Sequence, residues 1–157
     1  MSIPKHLTIQ IEGLQFESLL ADWRWLVNGT FIPVHMTVFG DLFFTGDNGG
    51  IHFLDLMGGE FKQVAETQGS FDELCNDREH RRVWFIPHLV MELRTVHGDL
   101  LPGKCFSCKI PLSLGGVLEA ANFEPADIDV HFSILGQLHR QTHNHSAGTI
   151  IGEFRIE

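Results

Sequence analysis

The sequence predicts an α+β fold, in which a mainly antiparallel sheet carries an N-terminal helix and two or three further short helices. Apolar residues recur every three or four positions over residues 14–27, which is the stripe of an amphipathic helix. Between residues 33 and 65, short runs of strand-forming residues alternate with glycine-rich turns, which indicates an antiparallel meander. The chain shows no internal repeat or low-complexity linker and 43% of it is apolar, so we expect residues 1–157 to form one domain.

The predicted meander contains three strands. The first covers residues 38–44, the second covers residues 51–56, and the third covers Glu60–Ala65. Residues 46–50 and 57–59 join them as tight turns, because glycine and asparagine adopt positive φ at little cost.

Two further helices are predicted after the meander. Ser70 and Glu73 have the S-x-x-E spacing of a capping box, so a short helix should run from there to about Arg81. Pro87 suits the first turn of another helix, because proline lacks the N–H that would be unpaired at that position. Gly98 is expected to end that helix.

The remaining elements are predicted to be mostly strands. Residues 105–110 have the pattern of one strand, with an exit loop over residues 111–116. Residues 128–134 alternate apolar and polar side chains, which predicts a second strand. The continuation over residues 134–138 fits both a short helix and a bent strand. Residues 149–156 are predicted to form an edge strand.

The charge and hydropathy of the chain exclude some functions. Eleven basic residues against twenty acidic ones give a net charge of −9, so direct binding to a phosphate backbone is not expected. The same charge has two interpretations, which are simple solubility and attraction to a basic partner. No stretch approaches the roughly 18–20 apolar residues of a membrane-spanning helix, and no secretory signal is evident, so we expect a cytoplasmic protein.

One group of cysteines and histidines has the composition of a metal site. Cys105-x-x-Cys108 and His139-x-x-x-His143 supply the ligand types and number of a structural zinc site. Residues three apart on a strand point to opposite faces, however, so the two cysteines are not expected to bind one ion. Cys105 beside His131 is a conceivable thiol nucleophile, but no nearby residue in the sequence activates either one. We therefore predict neither a cofactor nor an enzymatic activity.

Two motifs in the second half resemble a known family. They are K-I-P-x-x-L-G-G at residues 109–116 and H-x-S-x-x-G-Q-x-H-x-Q at residues 131–141. Over residues 35–157 the sequence resembles the bacterial family named for the C-terminal part of a type VI secretion DNase immunity protein. The residues that carry the two motifs are Lys109, Pro111, Gly115, Gly116, His131, Gly136, Gln137, His139 and Gln141. Residues 25–29 leading into residues 38–40 are also similar, more loosely, to SUKH-type immunity and regulator domains.

The resemblance implies an immunity protein that stays in the cytoplasm of the producing bacterium and blocks a toxin by binding it. A nuclease is the toxin class that the family name suggests, and an acidic surface suits a basic nucleic-acid cleft. The candidate partner contacts are Asp41, Asp47, Asp55, Glu60, Asp72, Glu73 and Asp77.

Two alternatives stay open. One is a SUKH-type housekeeping adaptor with no toxin partner. The other is a zinc-binding or thiol-dependent protein built on Cys105, Cys108, His131, His139 and His143.

Overall fold

A computed structural model describes residues 3–143, and its main element is a five-stranded antiparallel sheet. The strands lie side by side in chain order: β1 (Thr8–Ile9), β2 (Phe31–Thr37), β3 (Leu42–Gly46), β4 (Ile51–Asp55) and β5 (Glu60–Ala65). A second antiparallel sheet consists of β6 (Lys104–Cys108) and β7 (Phe123–Asp127). The α-helices are α1 (Phe16–Leu19), α2 (Gln68–Asn76), α3 (Arg78–Phe85), α4 (Pro87–His97) and α5 (Ile128–Thr142). The predicted α+β class is confirmed, and none of these helices within residues 3–143 is long and apolar enough to cross a membrane.

The larger sheet packs against helices on both of its faces. Successive side chains of a strand point to opposite faces, and in β3 Phe43 enters one core while Leu42 and Phe44 enter the other. The first core contains buried residues of α2, α3 and α4, and the second contains buried residues of α1 and α5. The Phe43 ring centroid lies 4.5–5.8 Å from four aromatic rings of β4, α2 and α3. Burying one such side chain contributes about 1.5–3 kcal/mol.

The predicted meander is present, with one shift at its start. β4 and β5 agree with the predicted second and third strands. The predicted first strand is wrong over residues 38–41, because a turn occupies them. In this turn the Thr37 N–H donates to the Asp41 carbonyl (2.8 Å), and Gly40 has a φ of +89°, which favours glycine. The sequence did not predict β2, since Pro33 lacks the N–H of a strand ladder.

The helix predicted over residues 14–27 is much shorter in the structure. Only α1 is α-helical, and a 3-10 turn follows it over Ala21–Trp23. In a continuous helix the Asp22 carbonyl would accept from residue 26, but here it accepts from the Trp25 indole N–H (3.0 Å). The apolar face of the predicted helix is nevertheless inside the protein. Its buried residues are Leu19, Leu20, Trp23 and Val27.

The strand predicted over residues 128–134 is wrong, because this segment begins the 15-residue helix α5. Ile128 and Phe132 are buried four residues apart, whereas Val130, which the alternation placed on the same face, is exposed. The polar member His131 is buried as deeply as the apolar ones. A short alternation is also compatible with a helix when a polar residue enters the core. The helical alternative for the following residues is confirmed.

The helices between the two sheets differ from the prediction in their boundaries. The capping box predicted at Ser70 is wrong in its register, because Thr67 is the N-cap of α2 and its hydroxyl accepts from the Ser70 N–H (3.0 Å). A second helix then begins after Asp77, whose carboxylate caps α3. The helix predicted from Pro87 is confirmed as α4, and Gly98 follows its last residue.

The second sheet was predicted in part. β6 confirms the predicted strand, although it ends at Cys108, and residues 111–116 form the predicted exit loop with a 3-10 turn over Leu112–Leu114. The sequence did not predict β7, because Pro125 argues against a strand. The edge strand predicted over residues 149–156 lies outside the described residues.

Gly136 of α5 packs against the N-terminal segment without room for a side chain. A Cβ there would lie 2.7 Å from the Asp22 carbonyl oxygen and 2.9 Å from the Trp23 indole nitrogen. Alanine is usually preferred to glycine inside a helix by about 1 kcal/mol, but overpacking a core costs about 1–3 kcal/mol. Gly136→Ala is therefore expected to lower the free energy of unfolding, measured by urea denaturation.

Gly69→Ala in α2 is the matched control, because a Cβ there would meet only the Thr67 hydroxyl, at 3.9 Å. This variant is expected to be at least as stable as the wild type. A Gly136→Ala protein that is also stabilised would contradict the close packing of α5.

Candidate functional site

One end of the larger sheet carries a groove that combines carboxylates with apolar side chains. It has a volume of about 270 Å³ and lies between the β4–β5 turn, the end of α3 and the loop that follows β6. Its charged residues are Asp41, Asp55, Glu60 and Lys62. Its apolar residues are Phe53, Met57, Val83, Trp84, Ile86, Leu112 and Leu118. We call this surface the acidic groove.

Asp41 is the buried acid of the groove, with 3% of its surface exposed. Its Oδ1 accepts from the Leu56 N–H (2.8 Å), and its Oδ2 accepts from the Thr37 hydroxyl (3.4 Å). The bond from Leu56 joins the turn before β3 to the turn after β4. Burial, followed by the charge of Asp55, raises the pKa of Asp41 well above its usual range.

Asp55 and Glu60 lie opposite each other at the ends of β4 and β5 that the turn connects. Asp55 Oδ1 accepts from the Gly58 N–H (3.0 Å), which shapes that turn, while Glu60 is exposed. Like charges directly opposite each other in an antiparallel pair are destabilising. The stability of the sheet therefore does not account for this pair of acids.

Exposed apolar side chains border the acidic groove. Val83 of α3 is 61% exposed and Leu118 is 47% exposed. The loop that precedes Leu118 also exposes Ile110, Leu114 and Val117. Exposed apolar surface beside polar groups is typical of a protein-binding site.

Asn122 holds this loop from the interior. Its Oδ1 accepts from the Ile110 N–H, and its Nδ2 donates to the carbonyls of Ile110 and Val117, each over 2.9 Å. Because Asn122 is buried, losing these bonds would leave its amide group unpaired, at a cost of about 1–3 kcal/mol. The exposed apolar residues are thus presented by a fixed backbone.

The first family-like motif forms part of the same loop. The Lys109 N–H donates to the Asn122 carbonyl (2.6 Å), and the Gly116 N–H donates to the Pro111 carbonyl (3.0 Å). Gly115 ends the 3-10 turn with a φ of +96°. The backbone groups of this motif therefore shape the loop.

Two buried histidines of the second motif join α5 to the sheet. His131 Nε2 donates to the Phe39 carbonyl (2.8 Å), and its Nδ1 accepts from the Ser107 hydroxyl (2.9 Å). His139 Nε2 donates to the Leu56 carbonyl (2.8 Å). Burial lowers the pKa of His131 to about 4 and also lowers the pKa of His139. Both imidazoles are therefore neutral hydrogen-bonding groups at neutral pH.

The other residues of the second motif lie along the same helix. Gly136 contacts the N-terminal segment, and Gln137 is buried with its Nε2 donating to the Ser133 hydroxyl (3.0 Å). Gln141 is half-buried near the end of α5. The motif thus consists largely of residues that pack α5 into the protein.

A wider cavity of about 650 Å³ adjoins the acidic groove and shares the β4–β5 turn with it. Trp25, His139 and His143 are among its lining residues. The His139 ring lies 5.7 Å from the Trp23 ring, and the His143 ring lies 4.8 Å from the Trp25 ring. The histidines of this wider cavity therefore pack against tryptophans, whereas most of the charged side chains lie in the acidic groove.

The candidate metal ligands do not come together. Cys105 lies in the core beneath α5, whereas Cys108 packs against the other core, as opposite faces of a strand require. Cys108 Sγ lies 4.0 Å from Met57 Sδ. His139 and His143 lie at the wider cavity. Within residues 3–143, no group of three or more His, Cys, Asp or Glu side chains is placed to hold a metal ion.

The thiols are also poorly suited to nucleophilic catalysis. Burial raises the pKa of Cys75 and of Cys108 to about 11, and it raises the pKa of Cys105 as well. His131, the base considered beside Cys105, instead bonds to the Phe39 carbonyl and the Ser107 hydroxyl.

The seven predicted acidic contacts fall into four places. Three of them meet in the acidic groove: Asp41, Asp55 and Glu60. The others lie elsewhere, with Asp47 in the β3–β4 turn, Asp72 and Glu73 on α2, and Asp77 at the start of α3. The sequence did not single out the apolar wall of Val83 and Leu118, because no pattern distinguishes them from core residues.

Comparison with known proteins agrees with the resemblance in the sequence. Residues 65–139 match a family of immunity proteins of the type VI secretion system (T6SS). The family is described as T6SS immunity protein Tdi1, C-terminal. The predicted resemblance is therefore confirmed. The matched residues include Val83, Trp84 and Leu118 and thus the apolar wall of the acidic groove.

Among solved structures, this chain is similar to the crystal structure of Atu4351 from Agrobacterium tumefaciens, with a TM-score of 0.52 and 17% sequence identity. The similarity covers 77% of this chain and 63% of that chain, so this chain spans less than two thirds of that protein. At this identity the similarity shows the fold alone. No curated protein matches the chain.

The buried His131 predicts a loss of stability in acid. The unfolded imidazole takes up a proton near pH 6.5, whereas the folded one does so only near pH 4, so the unfolded state binds more protons between these values. Stability should therefore fall as the pH falls through this window, by up to about 3 kcal/mol from this residue. Urea denaturation over a pH series measures the slope.

His131→Asn should be less stable at neutral pH and should show a flatter slope over this window. His6→Asn, at an exposed position before β1, is the control for replacing a histidine outside the core. Equal slopes in the wild type and His131→Asn would contradict the assigned burial.

Asp41 predicts the opposite dependence. Because its folded pKa is raised, its contribution to stability is greatest below the unfolded pKa of 3.8 and is lost as the pH rises through the folded value. Asp41→Asn keeps an acceptor for the Leu56 N–H without the charge, so its stability relative to the wild type should increase with pH. Asp41→Ala should instead lose about 1–3 kcal/mol, since that N–H is left unpaired. Urea denaturation in mildly acidic and mildly basic buffer separates these results.

Proposed function

We propose that this protein is an immunity protein that neutralises a toxin by binding it and that catalyses no reaction itself. The match of residues 65–139 to a family of type VI secretion immunity proteins supports this proposal. The structural observation that carries it is the acidic groove, which sets carboxylates beside exposed apolar side chains of α3 and the 110–118 loop. An apolar patch with a polar rim suits a protein partner.

The proposed toxin is a basic protein, and a nuclease is the proposed class. A nuclease must attract a phosphate backbone and therefore carries a positive cleft. The net charge of −9 on this chain is complementary to such a surface and would steer the two proteins together. The acidic residues on α2, α3 and the β3–β4 turn contribute to this steering, whereas the acidic groove makes direct contact.

The proposed location is the cytoplasm of the bacterium that produces the toxin. Cys75, Cys105 and Cys108 are all free thiols, which is the usual state of cysteines in a reducing compartment. An immunity protein at this location meets the toxin where nucleic acid is accessible to it.

The purified protein is expected to bind the toxin encoded beside its own gene and to protect cells that express that toxin. Because long-range attraction drives the encounter, the association rate should fall by on the order of tenfold from low to high salt, with a smaller change in the dissociation rate. Biolayer interferometry over a salt series measures both rates. If the protein neither binds the toxin nor protects the cells, the proposal is contradicted. Capture of a cellular complex as the main partner, which is expected of a SUKH-type adaptor, would contradict it as well.

A further inference from the structure

The negative charge in the acidic groove is only partly compensated by the residues that line it. Asp55 and Glu60 are cross-strand partners, and the charge of Asp55 also acts on the buried Asp41. Among the described residues that line the groove, Lys62 is the one cationic side chain beside the carboxylates of Asp55 and Glu60 and the buried Asp41. A cation placed in the groove would relieve the repulsion among them.

The walls of the groove are apolar and already in place. Val83 and Leu118 keep about half or more of their surface exposed although they line a concave surface, and Trp84 lies beside them, buried. Ile86 has a φ of 49° and a ψ of 60°, a left-handed conformation that β-branched residues rarely adopt. This conformation produces the sharp turn between α3 and α4 beside the groove, so an unfavourable backbone geometry is retained at this position.

The size of the groove suits one side chain. Its volume of about 270 Å³ lies just below the range of about 300–1,000 Å³ that is typical of small-molecule sites. A long side chain with an apolar stem and a cationic head would match both the walls and the carboxylates. Guanidinium is more weakly hydrated than ammonium and pairs with carboxylates in a planar fork, so arginine matches a partly enclosed site better than lysine.

We propose that the acidic groove receives one arginine side chain of the partner, with its stem against Val83 and Leu118 and its guanidinium on Asp55 and Glu60. The inference rests on the proposed function, because it takes the partner to be the toxin. A second copy of this chain is a poorer occupant, since two chains of net charge −9 repel each other.

Substitutions in the groove test the contact with the toxin. Glu60→Gln removes one exposed charge and Val83→Ser removes one exposed apolar side chain, so both should fold normally by circular dichroism. Each is expected to weaken binding to the neighbouring toxin by on the order of tenfold or more, measured by isothermal titration calorimetry. Glu124→Gln on β7 and Val96→Ser on α4 are exposed controls outside the groove and should bind as the wild type does.

A small probe tests the groove without the toxin. N-acetyl-arginine methylamide, titrated into the 157-residue chain and followed by NMR, is expected to shift the Gly58 amide and the Trp84 indole signals. The citrulline analogue, which has the same shape without the charge, should leave them in place. Shifts of these signals in Glu60→Gln should be much smaller than in the wild type.

The two experiments separate the two proposals. If the toxin does not bind but the arginine probe shifts the groove signals, the proposed function fails and the arginine site stands. If the toxin binds the wild type and the groove variants equally and the probe has no effect, the arginine site is overturned and the proposed function stands. A stronger response to the lysine analogue overturns the choice of arginine. If the wild type dimerises in sedimentation velocity and both groove variants abolish the dimer, the groove binds a second copy of this chain. That result also overturns the inference.

Discussion

The docking of α5 onto the sheet through two neutral, buried imidazoles is the contact on which the rest of the structure depends. His131 donates to the Phe39 carbonyl and His139 donates to the Leu56 carbonyl, so one helix satisfies a backbone group in each of two turns. Gly40 and Gly59 make room for these rings, since a Cβ at either position would lie within 3.0 Å of a ring atom. A buried carbonyl without such a donor would cost about 1–3 kcal/mol.

Residues in and beside these two turns also supply the three acids of the acidic groove. Asp41 follows the first turn and accepts from the Leu56 N–H in the second, so their positions are coupled by a buried carboxylate as well as by α5. The second turn then sets Asp55 and Glu60 opposite each other. The packing of a helix on one face of the sheet thus determines where charge is presented at its end.

The family-like residues and the proposed contact residues therefore have different tasks. His131, Gly136 and His139 are buried and pack α5, and the 109–116 loop is held by Asn122. The side chains available to a partner are the exposed ones that this framework carries, such as Glu60, Val83 and Leu118. The residues that build the framework and the residues proposed to contact a partner are thus different side chains of the same structure.

The sequence by itself determined the fold class, the β4–β5 part of the meander and the helix from Pro87. It also determined the resemblance to the T6SS immunity family that residues 65–139 match. Local turn chemistry and motif order do not depend on distant contacts. It misassigned residues 14–27 and 128–134, where indole and imidazole groups bond to distant carbonyls and a polar residue enters the core. It named the three acids of the groove among seven candidates but could not group them. Only the tertiary structure decided which acids lie together and which apolar side chains form the wall beside them. Burial and close contact arise when segments far apart in the chain pack together.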